Sequence, residues 1–546
     1  MRALPVAEAE RGPKRPVVGY GPPSAPVASS CYRAFDDAPL SHKHWLTVLV
    51  SGMGFFTDAY DLFIIGTVTV LLTPIWHLST NQVSLLNSAS LLASVAGALV
   101  FGKLMDHLGR VSMYAAGVTI LAVGALLTAF SWDFWSLLGF RLVVGFGVGG
   151  DYPASAVVSA EYANRAQRGR LVGTVFAMQG FGLLAGPAIA SVLLASGAPT
   201  SVAWRLMLGL GAVPATSVIY LRLRIKESPR FSLGVKGDVA ALAETAQWFT
   251  GEVVNDKVGA LAMPSPGPAA PSPGPAAPKT AKGRHGGSRL AVLGERRVLM
   301  RLVGAAGCWF LMDIAFYGNS ISNPLLLKAL QPRGSLLSHT LLSGGIFLFS
   351  AVPGYWTAVW LLDKVGRRRI QWQGFAVMAL AFGAIALLPG ATKQVWEFLA
   401  LFALSYFFVE FGPNMTTFVY PSEIFATNVR GSATGIAASA GKIGAFVGAL
   451  LVPHMIKWVG VTGVMGAMAL ISLVGLLLTV AVLPEPMGRS LEDASGELDI
   501  TGLDELGPVV KPLTVPVTLG DASEAVPVAA RHLVPGICPQ LEGQQR

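Results

Sequence analysis

The chain has 546 residues, 53% of them hydrophobic and only 13% charged, with a mean hydropathy of +0.57. A soluble domain carries about 25% charged residues, so this composition excludes an ordinary soluble globule. The net charge of +9 does not point to nucleic acid once the charges are placed, and Cys31, Cys308 and Cys538 offer neither a metal-ligand spacing nor a disulfide framework.

Residues 1–44 are rich in Pro, Ala and charge and read as a disordered tail. The first apolar run follows this tail, too late for a cleaved signal peptide. About twelve apolar segments then recur, at roughly 46–70, 84–105, 112–130, 134–159, 171–195, 204–223, 299–321, 338–361, 370–389, 396–419, 432–456 and 460–483. Each is near the ~20 residues a helix needs to cross a bilayer. Lys and Arg gather in alternate connections: Lys103 and Arg110; Arg165, Arg168 and Arg170; the loop 224–298; Lys364 and Arg367 to Arg369. The connections at 71–83 and 131–133 hold none. This positive-inside pattern predicts a multi-pass protein of the cell membrane with both termini in the cytoplasm.

The first helix carries GFFTDAYDLFIIG, whose Asp58 and Asp61 share a face. Two carboxylates on one face of a membrane helix need protons, a cation or an Arg. Arg141, inside the fourth helix, is the best partner on offer, and a static Asp–Arg bridge is the plainer alternative. The second helix ends in GKLMDHLGR, residues 102–110. The stretch Gly145 to Arg170, GFGVGGDYPASAVVSAEYANRAQRGR, sets Asp151 and Tyr152 in an apolar run. A carboxylate there is a functional candidate by default, although a structural ion pair accounts for it equally well. The glycines at 145, 147, 149 and 150 let a neighbouring helix or a ligand come close.

The loop 224–298 repeats PSPGPAA at 264–270 and 271–277 and then turns basic at Lys279, Lys282, Arg284 and Arg289, as a semi-extended linker does. In the seventh helix Trp309, Asp313 and Tyr317 are spaced by four and stack on one face. The tenth holds Glu410, Pro413 and Asn414, and Pro413 breaks the backbone ladder, a feature membrane helices tolerate near cavities. Lys442, in ASAGKIGAF of the eleventh, calls for an anion or a carboxylate beside it. The tail 484–546 is polar, with little periodicity, and reads as disordered.

Two echoes join the halves. Asp106, Gly109 and Arg110 have the internal spacing of Asp363, Gly366 and Arg367, and Glu161 stands to Arg168 and Gly169 as Glu423 does to Arg430 and Gly431. In the second frame Tyr152 falls on Asn414 and Gln179 falls next to Lys442. The predicted fold is therefore an all-α membrane protein of twelve transmembrane helices in two pseudo-symmetric six-helix halves, 45–223 and 299–483.

These residues resemble the major facilitator superfamily. GKLMDHLGR, with Gly102, Asp106, Gly109 and Arg110, resembles its gating-loop motif, echoed by Asp363, Gly366 and Arg367; His107 and Val111 stand where basic residues are common. IKESPRF and PEPMGRSLE resemble the segments after the sixth and twelfth helices of its sugar-porter-like branch. FFTDAYDLF, GVGGDYPASAVVSAEYANRAQRG, MQG, WFLMDIAFY, FGPNMTTFVYPSEIF and GIAASAGKIGA resemble the signatures of the proton-coupled inorganic phosphate symporters, from about Trp45 to Glu492. The resemblance implies phosphate contacts for Tyr152, Gln179, Trp309, Asp313, Tyr317, Asn414 and Lys442. It implies proton handling for Asp58, Asp61 and Asp151, with Arg141 as their partner. Glu410 stands where that family usually has Asn and adds a titratable group to the proton-coupling set.

The chemistry of the residues agrees. Tyr, Gln, Trp and Asn donate hydrogen bonds and Lys supplies a cation, a set suited to a small oxyanion. Protonated Asp313 would donate to that anion and ionised Asp313 would expel it, which makes proton and anion travel together. The expected partners are inorganic phosphate, protons and the bilayer. No cofactor, metal or nucleic acid is expected, and the sequence carries no mark of an oligomeric state. With no nucleophile–base set and no phosphate-cradling loop, an enzyme is not expected. Two other functions stay open: a proton-coupled carrier of a sugar or organic acid on the same fold, and a phosphate-sensing receptor that signals through its loop and tails.

Overall fold

A computed structural model of the chain describes residues 39–236, 292–331, 333–388 and 394–496, with single positions 32, 36, 37, 238, 241, 244, 245, 248 and 390. The apolar runs become helices, because a chain in hydrocarbon must satisfy its own backbone polar groups. They are α1 (His42–Trp76), α2 (Thr80–Leu108), α3 (Arg110–Ala129), α4 (Phe134–Tyr162), α5 (Arg168–Ala195), α6 (Thr200–Arg224), α7 (Arg296–Ile321), α8 (Leu336–Val365), α9 (Arg367–Leu387) and α10 (Trp396–Ile424). A last helical segment runs over Arg430–Val482. Among the described residues no strand is present and these eleven segments are long and apolar enough to cross a membrane.

The twelfth span comes from dividing the last segment. Its 53 residues would extend ~80 Å if straight, against ~30 Å of hydrocarbon. At Gly460 the backbone leaves the helix, with φ 68° and ψ −179°. The chain folds back there into α11 (430–459) and α12 (461–482). Both arms pack along α7, and α12 also meets α9. Gly444 lies under the Phe310 carbonyl of α7, while Thr479 takes a hydrogen bond of 2.9 Å from the Gln371 amide of α9.

Close helix contacts rest on missing side chains. A Cβ at Gly145 or Gly149 of α4 would overlap the Ser90 and Ser94 carbonyls of α2, and one at Gly448 would overlap the Ile314 carbonyl of α7. Lipid gives helices no hydrophobic reason to pair, so such close van der Waals contact is what holds them.

One end of the bundle gathers the Lys and Arg residues and clasps the two halves together. Asp106 accepts from Gly431 N at 3.0 Å and from Ser432 N and Oγ at 2.7 Å each, in the first turn of α11. Asp363 accepts from Gly169 N at 2.9 Å and Arg170 N at 2.7 Å, in the first turn of α5. Each motif aspartate thus caps a helix of the opposite half, satisfying N–H groups that a helix start leaves open. Arg367 binds Glu423 through two bonds of 2.9 and 2.7 Å, and Arg110 reaches Glu161 at 3.4 Å, which also pairs with Arg430 at 2.9 Å.

The motif glycines have a conformational reason. Gly109 and Gly366 adopt φ +113° and +98°, where an L side chain is strained. A Cβ there would also strike Glu227 and Glu485, whose carboxylates take the N–H groups of Arg110 (3.1 Å) and Arg367 (3.0 Å).

The expected disordered segments are ordered where they are described. Beyond 484, Glu485 is built into the clasp and residues Leu491–Ser495 form a short helix. Glu492 accepts from Arg230 Nε at 2.8 Å, and Asp36 of the N-terminal segment accepts from Arg230 Nη2 at 2.8 Å. Arg230 itself opens a short helix, Pro229–Gly234, at the start of the 224–298 loop. The reason is electrostatic: the buried Arg230 guanidinium needs counter-charges, and these segments supply them. Burial would raise the Glu492 carboxyl, but the Arg230 guanidinium outweighs it and holds it at about 2. The PSPGPAA repeats, the basic run after them, Cys31, Cys538 and the rest of both tails lie outside the described residues.

Candidate functional site

Midway along the bundle, helices of both halves deliver polar side chains to one buried cluster. Tyr152 comes from α4 in the first half, and Asp313 and Tyr317 from α7, with Lys442 from α11, in the second. The Tyr152 and Tyr317 hydroxyls are 3.0 Å apart, and Lys442 Nζ donates to the Tyr317 hydroxyl at 2.8 Å. The same ammonium sits 3.8 Å above the Tyr152 ring and 4.4 Å above that of Tyr317, a cation–π arrangement. Asp313 Oδ2 is 3.7 Å from Lys442 Nζ, an ion pair too long for a hydrogen bond. All four residues are buried, at 1% exposure.

A second polar knot adjoins the first on α10. The helix is distorted over Glu410–Asn414, with Gly412 at φ −102° and ψ −110°, as Pro413 requires. Thr416 and Thr417 donate to the Gly412 and Pro413 carbonyls at 3.0 and 2.7 Å and so repair the ladder. The distortion presents Asn414, whose amide donates to the Tyr355 hydroxyl of α8 at 2.8 Å and to Glu410 Oε2. Glu410 Oε1 has no hydrogen-bond partner among the described residues.

Aromatic rings bound the cluster. On the clasp side Phe55, Phe176 and Phe418 pack against Tyr152 and Trp309, with Phe176 stacked on Phe418 at 4.5 Å and Phe55 edge-on to Tyr152 at 4.9 Å. Such pairs contribute about 0.5–1.5 kcal/mol each beyond area burial. On the far side Phe63 stacks on Tyr317 at 5.3 Å and 15°.

The structure brings Tyr152, Asp313, Tyr317 and Lys442 into direct contact, and sets Trp309 beside Tyr152 with ring centroids 6.2 Å apart. Gln179 is buried nearby on α5, its Oε1 without a partner among the described residues. Asn414 and Glu410 bind each other, as helical neighbours four apart do.

The expectation that Arg141 serves all three first-half aspartates is corrected. Arg141 Nη1 binds Asp61 at 2.6 Å. It shares α4 with Asp151, ten residues away and so ~15 Å along the axis, out of reach. Asp151 instead pairs with Arg222 of α6. Neither oxygen of Asp58 has a hydrogen-bond partner among the described residues, although Asp151, Arg222 and Lys442 all lie within its electrostatic reach.

Two residues went unmarked in the sequence. Arg222 stands at the end of the sixth apolar segment, 204–223, and with Ala215 and Val218 it falls on the buried face of α6. Tyr355 shares the buried stripe Ala351, Tyr355, Ala358 and Leu362 of α8 and passes for core. Helical period was the available signal for both.

Comparison with known proteins agrees with this architecture. The profile of the sugar (and other) transporter family matches residues 45–498. The low affinity inorganic phosphate transporter 8 of Medicago truncatula is 34% identical over 535 residues, covering 85% of this chain and 92% of the relative. The inorganic phosphate transporter 1-4 of Arabidopsis thaliana is 32% identical over 542 residues, covering 85% and 95%. Among solved structures, the major facilitator proton:xylose symporter XylE bound to 6-bromo-6-deoxy-D-glucose aligns with a TM-score of 0.69 at 18% identity, over 83% of this chain and 98% of that one. The partially occluded inward-open XylE of E. coli gives 0.63 at 17%, over 82% and 100%.

Proposed function

The chain belongs to the sugar (and other) transporter family, with the inorganic phosphate transporters among its relatives, and from this premise we propose that it carries inorganic phosphate together with protons into the cytoplasm by alternating access. The observation that carries the reading is the link between halves: Tyr152 of one half bonded to Tyr317 of the other, with Lys442 and Asp313 beside them. Lys442, the two tyrosines, Asn414, Gln179 and Trp309 supply one cation and several neutral donors, the recognition chemistry of a small oxyanion. A neutral sugar needs no buried cation, so a sugar carrier leaves Lys442 without a substrate charge to meet.

Coupling follows from the Asp313–Lys442 pair. While Asp313 is ionised, the ammonium has a counter-charge and an incoming anion is repelled. A proton on Asp313 frees the ammonium for the anion and turns the carboxyl into a donor. Loss of that proton restores the pair and releases the anion. Asp58 and Glu410, which touch no cation among the described residues, would pass protons on. Asp61 with Arg141 and Asp151 with Arg222 are bridges that a passing proton can open.

The basic end holds the loop motifs, and positive-inside asymmetry assigns it and both termini to the cytoplasm. The clasps and the Phe55–Phe176–Phe418 layer then close the site to the cytoplasm. Rocking of one half on the other would break the clasps and open it. The test is radiolabelled phosphate uptake into proteoliposomes of the purified chain. Uptake should require an inward proton gradient, collapse with a protonophore and be competed by arsenate. Uptake indifferent to the protonophore removes the symport claim, and competition by a sugar but not by arsenate removes phosphate.

A further inference from the structure

The mechanism above makes no use of a small hollow on the far side of the central cluster. Helix direction fixes its place. Helices α1, α5 and α7 start near the clasps and α8 ends there, and the cavity touches Thr67, Pro187 and Ser320 late in the first three and Thr340 and Ser343 early in the fourth. Phe63 forms part of its wall and is also the ring stacked on Tyr317. A single aromatic layer therefore parts this hollow from the Tyr152–Tyr317–Lys442 cluster.

The lining carries no charged side chain among the described residues. Its most informative member is Asn323, the first residue of the short helix Asn323–Leu330 that follows α7. Asn323 is 1% exposed, and neither its amide nitrogen nor its amide oxygen has a hydrogen-bond partner among the described residues. A buried amide that the protein itself does not satisfy, set in the wall of a polar hollow, is a group built to serve a solute or the water that solute displaces. Thr340 and Ser343 donate their hydroxyl protons to the Leu336 and His339 carbonyls, at 2.8 and 2.9 Å, and so offer lone pairs. The wall thus mixes N–H donors with oxygen acceptors and has no cation. A dianion would find no counter-charge there. A singly charged oxyanion that still carries hydroxyl groups can both accept from Asn323 and donate to Thr340 and Ser343.

We propose that this hollow is an outer binding subsite, where the phosphate monoanion halts before it passes Phe63 into the central cluster. The assignment rests on the phosphate reading of that cluster. Lacking a fixed cation, the subsite would hold the anion loosely enough to hand it on to Lys442.

The test uses full-length protein in proteoliposomes, with KM measured for external phosphate in gradient-driven uptake and for internal phosphate in efflux. Asn323→Leu should raise the external KM about tenfold, the cost of one or two hydrogen bonds to an anion, leaving the maximal rate within about twofold and the internal KM unchanged. Asn323→Asp, which adds a repelling charge, should raise the external KM further. An unchanged external KM in both variants, or an equal rise on both sides, overturns the subsite. Should the Asn323 variants lose phosphate exchange even at saturation and so fail to fold, Thr67→Val on the opposite wall decides by the same split between the two KM values. Wild-type protein that takes up no phosphate overturns the central reading as well. Wild-type uptake with indifferent variants overturns the subsite alone.

Discussion

The carboxylates at the clasped end and those in the core belong to one residue class, and all but Asp363 are buried, yet they are held differently. Glu423 meets Arg367 through two short bonds, and Asp106 and Asp363 each take two backbone N–H groups of the opposite half. In the core Asp313 has a lysine ammonium at 3.7 Å and the Trp309 side chain, Glu410 has the neutral side chains of Asn414 and Tyr355, and Asp58 has no hydrogen-bond partner among the described residues. Arginine stays charged and matches a carboxylate with a rigid fork, whereas lysine is a mobile point charge. The contrast shows that the partner, more than the burial, decides whether a carboxylate is a strut or a switch.

Removing the switch has the largest expected effect. Asp313→Asn keeps a donor but has no proton to give. Net gradient-driven accumulation should fall on the order of a hundredfold or more, while exchange of internal for external phosphate persists. Normal accumulation by this variant would shift the coupling role to Glu410 or Asp151. Breaking a strut comes next. Glu423→Gln removes the buried partner of Arg367, which keeps Asp363 at 3.0 Å, so the loss should fall below the ~3–5 kcal/mol of a fully broken buried pair. The closed arrangement should give way, seen as faster labelling from the cytoplasmic side of a cysteine placed at Phe176. Unchanged labelling would mean that the clasp does not hold the gate. A turn substitution is milder: Gly366→Ala forces a methyl into the left-handed region, at about 1–2 kcal/mol, and should lower the unfolding temperature by a few degrees with KM intact.

The smallest effect is one of acidity. The Glu492 carboxyl is depressed in the fold, so its tie to Arg230 contributes stability that is full above its ordinary value near 4.5 and is lost as pH falls towards about 2. Hydrogen exchange in the Leu491–Ser495 helix should therefore show no Glu492-dependent change between about pH 5.5 and 8. A step in that range that vanishes in Glu492→Gln would show the depression to be wrong.

Much of the fold was legible because the bilayer imposes a length and an asymmetry that sequence shows directly. The loop motifs were legible because their spacing repeats and because Gly109 and Gly366 are dictated by a backbone angle. Along α7, Trp309, Asp313 and Tyr317 could be set on one face from period alone. Period gives a face and not a neighbour, however. Hence Arg141 could be matched to the Asp58 and Asp61 pair but not to Asp61 alone, and Arg222 passed unmarked at the end of the sixth apolar segment although it is the partner of Asp151. The contact of Lys442 with Asp313 joins residues more than a hundred positions apart, which no local pattern encodes. The turn at Gly460 left a weak trace, since two spans meet there with one glycine and no polar loop.

The exchange of caps between halves has a consequence for how the protein is put together. Because Asp106 completes the start of α11 and Asp363 the start of α5, neither half carries a finished set of helix ends. Made alone, each would begin a long helix with bare N–H groups. Made as two separate polypeptides cut within 255–290, the halves would still hold each other's missing pieces. The covalent connection then matters for keeping the partners at high local concentration, and the two aspartates contribute to recognition between them beside the Glu161–Arg430 pair.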